Sequence, residues 1–272
     1  MFRAELLGLV TTTATKVSAT VALVGLIVTQ LMFVTVLPAL ARGDIGPGAA
    51  ELGADLPALD LTSAAVQLSA INPLGASMGG GSVGVALLAI VLLGVLAGTS
   101  DDRYGGIVGA VLASPRRGRI VIAKAAGAAG LVVGAMMAVA SLATLLGTLV
   151  VAGIPLTAGA GGILGALGRG ALVTACLLVI GLAVGILTRT QLAGVITILA
   201  IVFVEPIIMA ITQLISGGVG SVWTQFLPVT LAHTVIAGGS DGTNLVIATA
   251  ALIAITAGAL GAASLALARR DI

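Results

Sequence analysis

Long apolar runs alternate with short polar breaks along this chain, and the run lengths point to the fold. Six runs stand out: residues 17–41, about 76–98, 125–152, 171–188, 192–215 and 245–268. A hydrocarbon core about 30 Å thick takes roughly 20 helical residues at 1.5 Å rise each. Strand barrels alternate apolar and polar residues with period two, which these continuous runs do not. Helices also satisfy their own backbone groups in lipid. The pattern therefore predicts an all-α polytopic membrane protein with six transmembrane helices.

The breaks carry their own signals. In residues 1–16, Phe2, Leu6, Leu7 and Val10 recur near helical spacing among Arg3, Glu5 and three threonines, which predicts a short helix lying on the inner surface. Residues 42–75 are rich in Gly, Pro and Asp, with an apolar stretch at 61–71 expected to form a surface helix; loops of this length are usually functional. Residues 153–170 read as a Gly-rich turn with Pro155 and Arg169. Only Arg189, Thr190 and Gln191 separate the fourth and fifth runs, so those helices form a tight antiparallel pair. Residues 217–243 carry Trp223, Pro228 and His233 on the outer side. No internal repeat is evident, and residues 1–272 read as one membrane domain. Gly130/Gly134 and Gly181/Gly185 both have GxxxG spacing. Small residues let helices approach in lipid, and among 39 glycines general close packing is favoured over a dedicated dimer face.

Composition agrees with this reading. The chain is 59% hydrophobic and 8% charged, where a soluble domain has about 25% charged residues. Two of its ten acids and five of its twelve bases fall in one insert, residues 99–124. With a cytoplasmic amino terminus, six spans place Arg3, Lys16, Arg103, Arg116, Arg117, Arg119, Lys124, Arg189, Arg269 and Arg270 inside, and only Arg42 and Arg169 outside. That asymmetry orients both termini to the cytoplasm. Asp44, Glu51, Asp55, Asp60 and Asp241 then lie outside. The first run is longer than a signal-peptide core and has no small-residue cleavage site after it, so it reads as a retained helix. The single cysteine, Cys176, lies inside a span and can form no intrachain disulfide. A net charge of +2 follows from topology and does not call for nucleic acid.

Catalytic equipment is sparse. No phosphate-cradling Gly-x-x-x-x-Gly-Lys-Ser/Thr occurs; residues 118–124 lack the second glycine and the hydroxyl. His233 is the only histidine, which argues against a zinc hydrolase cluster and a nucleophile–histidine pair; it reads as a solvated or interfacial residue. The intramembrane aspartate pair of an aspartyl protease is missing, because Asp101 and Asp102 fall at the cytoplasmic end of the second span. The chain is thus expected to be no enzyme and to hold no metal or cofactor of its own.

Glu205 is the exception within the apolar runs, about 20 Å along a helix from Leu192. A carboxylate there costs several kcal/mol, on the order of 3, unless protonated, paired or wetted. Pro206 follows it and removes a backbone donor. Two readings stand: a kink stabilised by a protonated Glu205, or a carboxylate that lines a transport path or ties the fifth span to another helix. The other polar residues of the runs (Gln30, Thr144, Thr174, Thr197, Gln213) are few and neutral, which favours a hydrophobic or amphipathic cargo.

The charged insert resembles a known loop. Asp101-Asp102-Arg103-Tyr104-Gly105-Gly106-Ile107, then Leu112-Ala113-Ser114-Pro115-Arg116-Arg117-Gly118-Arg119 and Ala123-Lys124, are similar to the first cytoplasmic loop of ABC-2 type permeases, the membrane subunits of bacterial ABC exporters. The start Arg3-Ala4-Glu5-Leu6, Gly185-Ile186-Leu187-Thr188-Arg189, Glu205-Pro206, Phe226-Leu227-Pro228 and the terminal Arg269-Arg270-Asp271 also resemble the family, in order and across the whole chain, with an actinobacterial flavour. Asp101 stands where the family usually has Glu, Gly106 where it has Thr, and Gly8 where it has Lys.

The resemblance implies six helices with an amino-terminal elbow helix (1–16), a coupling helix in the loop 99–124, an outer loop (42–75), and a location in the bacterial cytoplasmic membrane. It implies a dimer with a second permease copy or paralogue, and separate ATP-binding subunits that hold ATP and Mg. Asp101, Asp102, Arg103, Tyr104, Pro115, Arg116, Arg117 and Arg119 would then couple the chain to its ATPase. Arg116, Arg117 and Arg119 read equally well as anchors to lipid phosphate, and Ser114-Pro115 as a helix stop. The expected function is efflux of a drug, antibiotic, peptide or lipid-like compound. The rivals are a proton-linked secondary carrier using Glu205 and a non-transporting immunity or scaffold protein.

Overall fold

With no water in the bilayer core to hydrogen-bond a bare carbonyl, the apolar runs fold as helices. The computed structural model describes residues 12–44, 60–72, 74, 84–104, 121–122, 125, 130–215, 222–238 and 242–269, and no strand occurs among them. In chain order the helices are α1 (Thr13–Leu31), a π-helical turn (Met32–Val36), α2 (Leu37–Arg42), α3 (Ala64–Ala70), α4 (Val85–Tyr104), α5 (Gly130–Ala152), α6 (Ala160–Thr188), α7 (Gln191–Ile215), a 3₁₀ turn (Val222–Phe226), α8 (Pro228–Ala237) and α9 (Gly242–Ala268). The π-helical turn lies beside Pro38, which has no N–H to offer the Val34 carbonyl.

Among the described residues, five helical stretches are long and apolar enough to cross a membrane: Thr15–Leu40, Val132–Ala152, Ala160–Thr188, Gln191–Ile215 and Asn244–Ala268. The apolar part of α4, Val85–Ser100, is shorter. The chain is a multi-pass, all-helical membrane protein.

α6 is the central helix and packs against α3, α4, α5, α7, α8 and α9. Its closest neighbour is α4, through glycines on both sides. A β-carbon on Gly94 would fall 2.1 Å from the Leu178 carbonyl oxygen, and one on Gly98 would fall 2.4 Å from that of Leu182. Reciprocally, Gly181 faces the Val91 carbonyl at 2.2 Å and Gly185 faces that of Val95 at 2.6 Å. Backbone therefore meets backbone along the seam, which only residues without a β-carbon permit. Numbers rise together along the two helices, so α4 and α6 run parallel and their carboxyl ends share one end of the bundle. The Gly181/Gly185 pattern serves this internal seam. Gly134, from the other pattern, lies against the backbone of Ala171. Between α6 and α7 only Arg189 and Thr190 remain outside helix, and Arg189 takes a left-handed φ of 63° to turn the chain.

Two expectations are corrected. The Gly-rich stretch expected as a turn to residue 170 is helical from Ala160, so α6 begins 11 residues before the predicted start at 171. Glycine's weak helix propensity is overridden there by the packing of Ile163, Ala166 and Leu167 in a second core, and Gly162 seats the Leu68 side chain at 3.1 Å from its β position. The expected surface helix at 61–71 is α3, and one side of it is buried: Leu61, Gln67, Ala70 and Ile71 are all below 9% exposed. Leu61, Ala70 and Ile71 form that second, smaller core with Phe33, Val34, Leu145, Leu149 and Ala166. The 3₁₀ turn and α8 lie within residues 217–243, and His233 is half-buried on α8. The elbow-helix positions 1–11 lie outside the described residues; from Thr13 the chain belongs to α1.

Candidate functional site

Glu205 is 3% exposed on α7, and both of its oxygens are engaged. Oε2 accepts from the Val229 N–H at 3.0 Å; Oε1 accepts from the Thr230 N–H at 2.5 Å and from the Thr230 hydroxyl at 2.8 Å. These donors belong to the first turn of α8, where intrahelical acceptors are missing. The turn's accounting closes completely. Pro228 has no N–H, Val229 and Thr230 give theirs to Glu205, and Leu231 gives its own to the Leu227 carbonyl at 2.8 Å. Leu227, at the usual capping position, has no side-chain acceptor, so Glu205 supplies the cap from another helix. About three of its roughly four acceptor positions are used. The Thr230 hydroxyl also lies 2.9 Å from Met209 Sδ, a second tie between α8 and α7. α7 continues through Pro206 to Ile215.

The other end of α8 meets a cation. Gly238 ends the helix in the left-handed conformation, φ 81°, and the Arg169 guanidinium packs against it: a β-carbon on Gly238 would lie 2.9 Å from Nη2. Arg169 projects from α6 and is half-buried, and its Nε is buried with no hydrogen-bond partner.

A second polar cluster is built on two glutamines with no exposed surface. Gln67 uses all four of its hydrogen-bonding positions: Nε2 donates to the Leu61 and Pro155 carbonyls at 2.9 and 3.0 Å, and Oε1 accepts from the Thr157 and Ala158 N–H groups at 2.9 and 3.0 Å. It thereby locks α3 to the connection between α5 and α6. Gln30 of α1 donates to the carbonyls of Ala70 at 3.0 Å and Ser141 at 2.8 Å, tying α1 to α3 and α5. Nearby Asp60 is fully exposed, and hydrogen bonds from the Thr62 hydroxyl and amide hold its carboxyl below the ordinary aspartate value.

Of the residues named for coupling, Asp101, Asp102, Arg103 and Tyr104 form the last turn of α4, while Pro115, Arg116, Arg117 and Arg119 lie outside the described residues. Glu205 and Pro206 lie on α7, at the other polar centre. Arg169, Thr230 and Gln67 escaped the sequence reading as functional residues. Gln67 had a signal, being the lone amide in the apolar stretch 61–71; Arg169 had one too, as one of two bases on the outer side. Thr230 had none. Among the described residues no group of three His, Cys, Asp or Glu side chains could hold a metal ion.

Compared with known proteins, the chain matches no family model, and no curated protein or solved structure is significantly similar to it.

Proposed function

We propose that this chain is the transmembrane subunit of an ATP-driven ABC exporter of six spans, moving a hydrophobic or amphipathic compound outward across a bacterial cytoplasmic membrane. A separate subunit holds ATP and Mg, and a second permease copy or paralogue completes the pathway. The support comes first from the charged segment 99–124 and its resemblance to the coupling loop of ABC-2 type permeases. The observation that carries the reading furthest is the parallel packing of α4 and α6. It puts the turn Asp101–Tyr104, where that segment begins, at the same end of the bundle as Arg189. A chain without a nucleotide motif, with five of its twelve bases in the segment 99–124, suits an energy source supplied in trans. The engagement of Glu205 with α8 weighs against the secondary-carrier reading, because a proton-carrying carboxylate has to be free to exchange its partners.

The test is Arg116→Ala/Arg117→Ala. Each arginine can make a charge-assisted hydrogen bond to a carboxylate on the ATPase, worth about 1.5–3 kcal/mol. The double variant is expected to insert normally, to lose co-purification of the ATPase, and to lose substrate-stimulated ATP hydrolysis. A correctly oriented double variant with intact coupling would move the docking site to Asp101–Tyr104 or to the amino-terminal helix. Failure of the parent chain to retain any ATPase would sink the exporter reading itself.

A further inference from the structure

The ten residues of α8 form a dipole whose two ends are both answered by charge. Its amino end, partially positive, meets the carboxylate of Glu205; its carboxyl end, partially negative, meets the guanidinium of Arg169. The depths of these groups follow from the helices that carry them, counted from the α6–α7 turn. Glu205 stands 14 residues along α7 from Gln191, about 21 Å, and Arg169 stands 20 residues back along α6 from Arg189, about 30 Å. The second distance matches the thickness of a hydrocarbon core, and the first stops short of it. The nine-residue rise from Val229 to Gly238 is about 13 Å along α8, enough to join the two levels with a tilt. The amino end of α8 therefore sits deeper than its carboxyl end, with the two charges at opposite ends and no direct ion pair between them.

We propose that α8 is a half-helix held below the outer membrane surface by this two-ended electrostatic clamp, and that loss of either charge releases it outward as a unit. The state of Arg169 supports the clamp, since its Nε is buried without a hydrogen-bond partner. A cation in that position is held by the field of the helix end and by contact with Gly238. Val229, Leu231, Ala232 and Val235 of α8 are buried in the main core, but lipid is as apolar as that core and apolar burial gives little tether there, whereas the uncapped N–H groups of Val229 and Thr230 would be stranded at membrane depth. The charges thus decide whether α8 stays in.

Cysteine accessibility tests this in the full chain in native membranes, in a Cys176→Ala background. Ala232→Cys, at a fully buried position on α8, reports release; Leu178→Cys, buried in the α4–α6 seam, reports the rest of the fold. With the clamp intact, both resist an impermeant maleimide. Glu205→Ala is expected to raise labelling at position 232 by about tenfold or more, the effect of a lost charge-assisted hydrogen bond, and Arg169→Ala by about two- to thirtyfold, the range of a charge at a helix end, while position 178 stays protected. Arg169→Lys keeps the charge and is expected to keep protection. The swap Glu205→Arg/Arg169→Glu separates a dipole clamp from an ordinary ion pair: the helix cannot reverse, so the swap should leave α8 released. Protection of position 232 in either alanine variant overturns the proposal, as do its restoration by the swap and its loss in Arg169→Lys. Opening of both reporter sites together also overturns it, because release of α8 alone leaves the seam shut.

Discussion

Gly181→Ala puts one methyl group into the close-packed α4–α6 seam. The new β-carbon would lie 2.2 Å from the Val91 carbonyl oxygen and 3.3 Å from the Gly94 α-carbon, where ordinary contact begins at 3.4 Å. α4 and α6 must part by about 3.4 − 2.2 = 1.2 Å, because the obstructing atoms are backbone and no rotamer can swing away. A gap of 0.5–1 Å already forfeits a quarter to a half of each dispersion contact along the seam. Overpacking costs about 1–3 kcal/mol, and a rigid seam puts this variant near the top of that range. Gly258→Ala, in α9, is the matched control: nothing lies within 4 Å of its β position. Removing glycine's entropic penalty from a helix interior is worth about 0.5–1 kcal/mol, so that change should be neutral or stabilising. The two chemically identical substitutions should therefore differ by about 3 kcal/mol. Reversible unfolding in mixed micelles, followed by far-ultraviolet circular dichroism, measures the difference. A Gly181→Ala variant within about 0.5 kcal/mol of the parent, the range of an inert surface change, would refute the backbone-to-backbone seam.

Three further outcomes are expected. Glu205→Gln turns an amide NH₂ towards donors and should cost about 1–3 kcal/mol while the chain still inserts; hydrogen exchange at Val229 and Thr230 should accelerate, and unchanged exchange would remove the cap. Gln67→Ala strands the N–H groups of Thr157 and Ala158 and the carbonyls of Leu61 and Pro155, so limited proteolysis should cut the α5–α6 connection faster than in the parent; equal rates would dismiss Gln67 as a lock. Single cysteines at Asp55 or Asp241, with Cys176→Ser, should label from outside and one at Gly118 only after lysis, whereas labelling of Gly118 in intact cells would invert the six-span orientation.

Hydrophobic run length made the helices legible before any coordinates, because membrane thickness imposes it independently of partners. α7 begins one residue from its predicted start and ends where the run does, at Ile215. The upper third of α6 was not legible, since its glycines carry a turn signal locally and a packing role only once Leu68 is known to lie against Gly162. Glu205 stood out as a charge in an apolar run, but its partners come from Val229 and Thr230, 24 and 25 residues away across a connection with no periodic pattern. The choice between a kink and a tie to another helix needed that pairing. The same holds for GxxxG spacing: it identifies a close-packing face but not what packs on it, and Gly181 meets the Val91 carbonyl and Gly94, itself in a GxxxG with Gly98.

The parallel seam also sets a timetable for biogenesis. Gly98 leaves the ribosome 88 residues before Ile186, the last residue it faces across the seam. At about 5–20 residues per second, α4 waits roughly 4–18 s for its principal partner. During that interval α1, already made, is its available neighbour, and the bare stripe around Gly94 and Gly98 faces lipid or the insertion machinery. The α4–α6 seam can only close after α5 has crossed in between. Synthesis of Ile186 is thus a checkpoint, before which the nascent chain exposes its most closely packed surface to membrane quality control.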